Sequence, residues 1–365
     1  MTPLATPAGT DQFVSRFAGR AAPGHFRAAQ GLAWSSIGIG TYLGQPDEKT
    51  DASYAAAVAA AVRGGINVLD TAINYRFQRS ERAIAAALQQ LFAEGFSRDE
   101  LIVCTKGGYL TPDGGMPPDP HEYFDREFFA CGVMRPEEVA AGCHCISPRY
   151  LADQLSRSLR NLALDSVDIY YLHNPETQLG EVSREEFNRR LRAAFEFLEA
   201  AVAAGKIRLY GMATWNGFRQ TLRAADSLPL AETAALAREV AGDAHHFRVI
   251  QMPFNLAMPE VLAQRNQMVN GRACAVLDAA VELGITVVAS ASLLQGRLAR
   301  NLPPRLAEVF GLESDLLRAL QFTRSTPGIT TALVGMSRAE HVAENLQLAA
   351  TAPAPLEEFQ KLFGE

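Results

Sequence analysis

The chain has 365 residues, 48% of them hydrophobic, and a formal net charge of -6. No run of about 18 apolar residues occurs, so no membrane span is expected, and the mild acidity argues against a nucleic-acid partner. Five cysteines in a chain too large to need disulfides, with no basic-then-apolar leader, predict a reduced, cytoplasmic protein.

Residues 1–30 carry Pro3, Pro7 and Pro23 and read as irregular, with room for a small hairpin over one end of the fold. A first strand is expected over 36–40. A helix over 51–63 follows, with Thr50 or Asp51 as its N-cap. Next come a strand at 66–69, a helix at 81–93 and a strand from Leu101 to Lys106. Between 107 and 147 the pattern breaks into prolines and then aromatics, including Tyr123, Phe124, Phe128 and Phe129. A structureless loop this long is usually functional, and its aromatic content argues against disorder. It leaves the end of a strand, so it is expected to fold over the mouth and shape a substrate pocket. Cys143, His144 and Cys145 lie close together in it, with Cys131 upstream. They lack the paired C-x-x-C spacing of a structural zinc site, so no metal is expected.

A helix from Pro148 to Asn161, a strand over 167–172, a helix over 184–204 and a strand over 207–212 come next. A helix after Asn216 is expected to run towards Asp226, followed by an extra one over 230–240. Strands at 249–252, 285–289 and 331–334 then alternate with helices at 274–283, 305–322 and 338–348. Strict alternation through eight units predicts an α/β fold with an eight-stranded parallel (β/α)8 TIM barrel. The doubly wound alternative wants G-x-G-x-x-G after its first strand, and Gly38, Gly40 and Gly44 do not fit it. One domain over 1–365 is expected, with a barrel core of about 36–348 and a long inserted loop after strand three, about 107–147.

Three successive strands end in a polar residue: Asp70, Lys106 and His173, with Tyr75 on the first of the following loops. Taken singly, each is also what an ion pair or a solvated strand end would leave. Together they sit on the rim where barrels keep their chemistry. A phenol, with an ordinary pKa of about 10, is a poor acid near neutrality. A neighbouring ammonium such as Lys106 lowers that pKa, and Asp70 would hold the ammonium charged. His173 adds a hydrogen-bond donor for a carbonyl oxygen. No side chain supplies hydride, so the chemistry asks for a cofactor.

The stretch Gly65, Asn67, Asp70, Thr71, Ala72, Tyr75, Ser80, Glu81 resembles the aldo-keto reductase signature G-x-N-x-x-D-T-A-x-x-Y followed by S-E. The resemblance implies a catalytic tetrad of Asp70, Tyr75, Lys106 and His173, and a nicotinamide dinucleotide stretched along the C-terminal rim. It extends to Thr41 and Tyr42 after strand one, and to Thr214 or Asn216 after strand five. Gln251 and Asn255 match on strand six. After strand seven, Ser290, Ser292, Leu294, Gly296 and Arg297 fall where the family crosses the pyrophosphate. On strand eight, Gly335, Ser337, Arg338, Glu344 and Asn345 match G-x-S-(R/K)-x-x-x-x-x-E-N. Arg338 beside an adenosine ribose would favour a 2′-phosphate, hence NADP(H), with NAD(H) as the alternative.

The implied function is an NADP-dependent oxidoreductase acting on a small carbonyl or alcohol substrate, with Tyr75 as general acid and base. Sugars, steroids, aldehydes and quinones all fit that chemistry. The rival from another class is a nicotinamide-sensing regulatory subunit with little turnover. A Schiff-base lysine at Lys106 would leave Tyr75 and the strand-eight motif unexplained. No coiled coil or surface stripe marks an oligomer interface. His121 and His144 lie where a substrate would reach the long loop. His245 and His246 read as solvated, Tyr170 and Tyr171 as core, and Glu176 as a carboxylate supporting His173.

Overall fold

The computed structural model describes residues 3–364. Its strands are β1 (Phe26–Ala29), β2 (Leu32–Ser35), β3 (Ile37–Gly40), β4 (Val68–Asp70), β5 (Ile102–Gly107), β6 (Val167–His173), β7 (Ile207–Ala213), β8 (Phe247–Pro253), β9 (Gln267–Val269), β10 (Arg272–Cys274), β11 (Thr286–Ser290) and β12 (Ile329–Gly335). Eight of them close a parallel barrel in the order β3-β4-β5-β6-β7-β8-β11-β12. Register places the polar strand ends side by side: Gly40 opposite Asp70, Lys106 opposite Tyr171, His173 opposite Ala213.

The helices pack their apolar faces on the outside of this sheet. Helix Glu48–Arg63 buries Tyr54, Ala57, Val58, Ala61 and Val62, which recur at helical spacing. Its N-cap is Asp47, whose carboxylate accepts from the Thr50 amide, so the helix starts earlier than Asp51. Gly64 and Gly65 stop it, the latter at φ 104°.

The N-terminal segment is more ordered than its composition predicts. Helix Pro7–Arg16 starts on a Thr6 cap with proline in its first turn. β1 and β2 form the expected hairpin. At the ends of the strands opposite the polar rim, Leu32 and Trp34 of that hairpin join Val68, Ile102 and Ile169 in a cluster that reaches up to Tyr171 beside Lys106. Beside them Asp168 accepts from Arg98 at 2.8 Å and from the amides of Ala5 and Val103. Arg27 then ties this end to the last strand, donating to the Ile329 carbonyl at 2.6 Å.

Several expectations are corrected. No helix spans 216–226; the stretch is a series of turns in which the Asn216 side-chain Nδ2 donates to Asp226. It has too few apolar residues to present a helical face, and the helix of that unit is Leu230–Ala241. The helix expected over 274–283 is only Val276–Glu282, because Cys274 pairs in the antiparallel hairpin of β9 and β10. The expected 305–322 helix is two helices, Pro304–Phe310 and Asp315–Ser325, broken at Gly311 with φ 63° and restarted by a Ser314 cap. A short helix, Leu356–Gln360, follows the last barrel helix. Segment 107–147 is not structureless: it holds helix Pro120–Phe124, a π-helical turn continuing it, and a small core of Phe128, Met134 and Cys145 packed on Tyr150 of the helix that follows. His245 is buried rather than solvated, and His246 pairs with Glu199 at 2.7 Å. No described helix is long and apolar enough to cross a membrane.

β7 and β8 shift register between Tyr210 and Gly211, and there the strands nearly touch. A Cβ on Gly211 would lie 1.7 Å from the Val249 carbonyl oxygen, a backbone atom that cannot swing away. Gly211→Ala is therefore expected to cost about 3 kcal/mol or more, read as a lower urea midpoint. A midpoint equal to the wild type would contradict the close approach.

Candidate active site

Lys106 lies wholly buried at the end of β5, where an ammonium is costly to desolvate unless paired. Its Nζ donates to Asp70 Oδ1 at 2.5 Å and to the Thr71 carbonyl at 2.8 Å. The second Asp70 oxygen accepts from Gln251 Nε2 at 2.8 Å. The ammonium lies 4.9 Å from the Tyr75 ring centroid and 6.0 Å from that of Tyr171. Burial pulls the Lys106 ammonium down, but Asp70 and Tyr75 outweigh it and the net direction is up. Burial pushes the Tyr75 phenol up and Lys106 pulls it back; the balance stays above the ordinary value.

His173, at the end of β6, faces Tyr75 edge-on at 5.8 Å. Burial, with Lys106 and His144 adding to it, pushes its imidazole well below 6.5. It is therefore neutral at physiological pH. Tyr42 is exposed and leans edge-on over Tyr75 at 5.0 Å. The Thr41 hydroxyl donates to Thr71 Oγ1 at 2.9 Å, and the Thr41 carbonyl accepts from Ser80 at 2.7 Å. The loop carrying Tyr75 is thus laced to the end of β3.

Thr214 and Asn216 follow β7. Three successive amides there, of Trp215, Asn216 and Gly217, donate to Glu176 Oε1 at 2.8, 3.0 and 3.2 Å. Glu176 thus braces this turn, and burial raises its carboxyl even against those bonds. The carboxamide of Asn216 is taken by Asp226, whereas Thr214 Oγ1 is buried without a partner among the described residues. Ser290 ends β11, and Ser292 is buried with its hydroxyl likewise unpartnered. Leu294 and Gly296 sit at positive φ, 46° and 84°, on a loop that leaves Arg297 exposed. Gly335 ends β12. The Ser337 carbonyl accepts from Ser53, and exposed Arg338 lies 2.7 Å from His341 Nε2. Glu344 accepts from Ser314, and buried Asn345 keeps an unpartnered Oδ1.

Thr214, Ser292 and Asn345 therefore each bury a polar atom that no described residue satisfies, a cost of about 1–3 kcal/mol apiece. All three lie on the strip expected to hold the dinucleotide, and unmet hydrogen-bonding capacity there fits such a ligand. No group of three or more potential metal-holding side chains occurs among the described residues. Cys143 is exposed, Cys145 is buried, and the His144 ring lies under the His173 backbone rather than towards a substrate. Tyr109 was not singled out in the sequence. It stands edge-on to His173 at 5.1 Å and accepts from Asn174 at 3.0 Å. Its place three residues after Lys106 was the available signal.

A family model described as the aldo/keto reductase family matches residues 36–362. The 6-dehydroglucose reductase of Novosphingobium aromaticivorans is 27% identical over 333 residues, 87% of each chain. The D-threo-aldose 1-dehydrogenase of a Pseudomonas species is 29% identical over 204 residues, covering 54% of this chain and 56% of that protein. Among solved structures, an aldo/keto reductase from Klebsiella pneumoniae in complex with NADP and acetate superposes with a TM-score of 0.62. It is 20% identical, covering 94% of this chain and 96% of that one.

Asp70→Asn keeps the shape of the ion pair and removes its charge, leaving Lys106 buried and uncompensated. A loss of about 3 kcal/mol in unfolding free energy is expected at neutral pH. An unchanged denaturation curve would mean that the ammonium does not depend on Asp70.

Proposed function

The chain belongs to the aldo-keto reductase family, and on that premise we propose that it is an NADP-dependent reductase of sugar-like carbonyls, with Tyr75 as general acid and base. The observation that carries this reading is the buried Lys106–Asp70 pair directly against the Tyr75 ring. A bound nicotinamide supplies the hydride; everything else is asked of the protein. Tyr75 holds a proton at the oxygen of the substrate. Lys106 stabilises the phenolate left when that proton moves, and Asp70 keeps Lys106 charged and fixed. Neutral His173 donates to the same oxygen without adding a competing positive charge.

The raised Tyr75 phenol gives the pH dependence its sign. A protonated phenol is the form that reduction needs, and it persists through neutrality. Oxidation of the alcohol needs the phenolate, so that direction gains with rising pH.

For the cofactor, the support is the three unmet polar atoms of Thr214, Ser292 and Asn345, together with the exposed guanidinium of Arg338 at a helix start. Gln251 would also face the nicotinamide, and the backbone of 290–297, with Arg297 beside it, would run past the pyrophosphate. Gly335, Ser337 and Glu344 complete the adenosine end. Arg338 would meet a 2′-phosphate with a planar fork of donors, which favours NADP over NAD.

For the substrate, two relatives are named for sugar substrates. The rim also offers both chemistries a sugar uses: exposed aromatic faces on Tyr42 and Trp215, and hydroxyl and amide groups on Tyr109, Asn174 and Thr177. Tyr109 belongs to segment 107–147, which we read as a wall of the substrate pocket. Five free thiols suit a cytoplasmic location.

Tyr75→Phe is expected to bind NADPH as the wild type does, by fluorescence titration, while kcat for reducing DL-glyceraldehyde falls by about 10²–10⁴. Undiminished turnover would remove Tyr75 from the chemistry. In the wild type, alcohol oxidation should climb from pH 7 to about 9 while carbonyl reduction stays level or falls. Arg338→Ala should weaken NADPH about tenfold more than NADH; equal weakening of both would assign Arg338 no part in the preference.

A further inference from the structure

We infer that His144, delivered by the inserted segment, is a positioning residue for His173 and holds that residue through its backbone. The inference rests on the reductase reading, in which His173 must point at the substrate oxygen.

The contact is direct: His144 Nε2 lies 2.7 Å from the His173 carbonyl oxygen. Its tautomer follows from a chain of one-way hydrogen bonds. Arg190 has only donors, and its Nη1 donates to Gln178 Oε1 at 2.6 Å. That fixes the Gln178 amide with its NH₂ towards the histidine, where Nε2 lies 2.9 Å from His144 Nδ1 and 3.0 Å from the His144 carbonyl. Nδ1 must accept, so the ring proton is on Nε2 and is donated to His173. Arg190 is itself held by Glu186 at 2.8 Å and donates to the backbone of Glu137 and Glu138. The relay thus ties helix Arg184–Ala203 to the insertion and ends at the catalytic centre.

His173 needs such a hold. Its ring Nδ1 has no hydrogen-bond partner among the described residues. The ring meets the edges of Tyr75 at 5.8 Å and Tyr109 at 5.1 Å. With no hydrogen bond at Nδ1 to fix it, its direction depends on the backbone that carries it. That backbone leaves β6 into Asn174, which has φ 46°. Without His144, the His173 carbonyl would lose this donor. Tyr109 is also edge-on to His144 at 5.0 Å. Gly108, at φ 145°, clears the space: a Cβ there would lie 2.8 Å from His144 Nε2 and 3.0 Å from the His173 oxygen.

The test measures NADPH-dependent reduction of DL-glyceraldehyde, with Tyr75→Phe alongside. His144→Phe keeps an aromatic ring against Tyr109 and removes the donor. Its kcat is expected to fall about tenfold, with NADPH affinity and KM within about twofold of the wild type. His144→Gln returns an N–H at the position of Nε2 and should recover most of that loss. In protein labelled with 15N-histidine, the His144 ring should be the neutral Nε2–H form. Unchanged kcat in His144→Phe would overturn the inference, and so would an Nδ1–H tautomer. Equal losses in Phe and Gln variants that also lose NADPH would overturn it too, as the mark of a scaffold role. Should His144→Phe not fold, Gln178→Leu takes its place: several-fold lower kcat with NADPH binding kept supports the relay, and wild-type kcat overturns it. Full turnover in Tyr75→Phe would instead bring down the reductase reading itself.

Discussion

A single buried ion pair sets the terms for the mouth of this barrel. Lys106 and Asp70 meet across two adjacent strands, and neither charge is stable there without the other. Their geometry is dictated by the register of β4 against β5. The remaining donors and acceptors are then committed in turn: Thr71 lends a carbonyl, Gln251 an amide, and two tyrosine rings turn their faces to the cation. As a device for stability alone, such a pair is a poor choice beside well-packed apolar side chains. What it does achieve is a dry positive charge held 4.9 Å from the centre of a phenol ring.

The loops around the pair are held by a second set of commitments, each made by a buried side chain to the backbone. Glu176 gathers three amides of the turn after β7. His144 takes the carbonyl after β6 through a tautomer that Gln178 enforces. Asp168 does the equivalent at the opposite end, beside the plug formed by Trp34. Irregular backbone near a site needs partners as much as helices and strands do, and here buried polar side chains provide them.

Much of this was legible in the chain. Asp70, Lys106 and His173 announced themselves because a polar residue ending a short apolar run is a local signal, and barrel topology makes such ends neighbours. The alternation of strands and helices was local too. What escaped was tertiary. The core of segment 107–147 joins Phe128 to Cys145 and Tyr150 without any periodicity. Residues 216–226 had helix-forming residues but no buried face to use them. The break at Gly311 was written in the sequence as a glycine followed by a serine cap, yet the apolar spacing on either side read straight through it. His144 was read only as a loop histidine within reach of substrate, because its partners, Gln178 and the His173 carbonyl, lie about thirty residues away.

The tie from Arg27 to Ile329 spans 302 positions of sequence, and β12 closes the sheet only by lying beside β3. Until the last strand is in place, the growing sheet has two open edges with unpaired amides and carbonyls. Loop-closure entropy grows only logarithmically with such a span, so the finished ring loses little by it. Assembly is another matter, because the seam needs both ends of the barrel at once, and folds of this kind form slowly. The price of a seamless wall is a long interval as a curled, sticky half-shell, in which the chain is open to pairing with its neighbours before it can pair with itself.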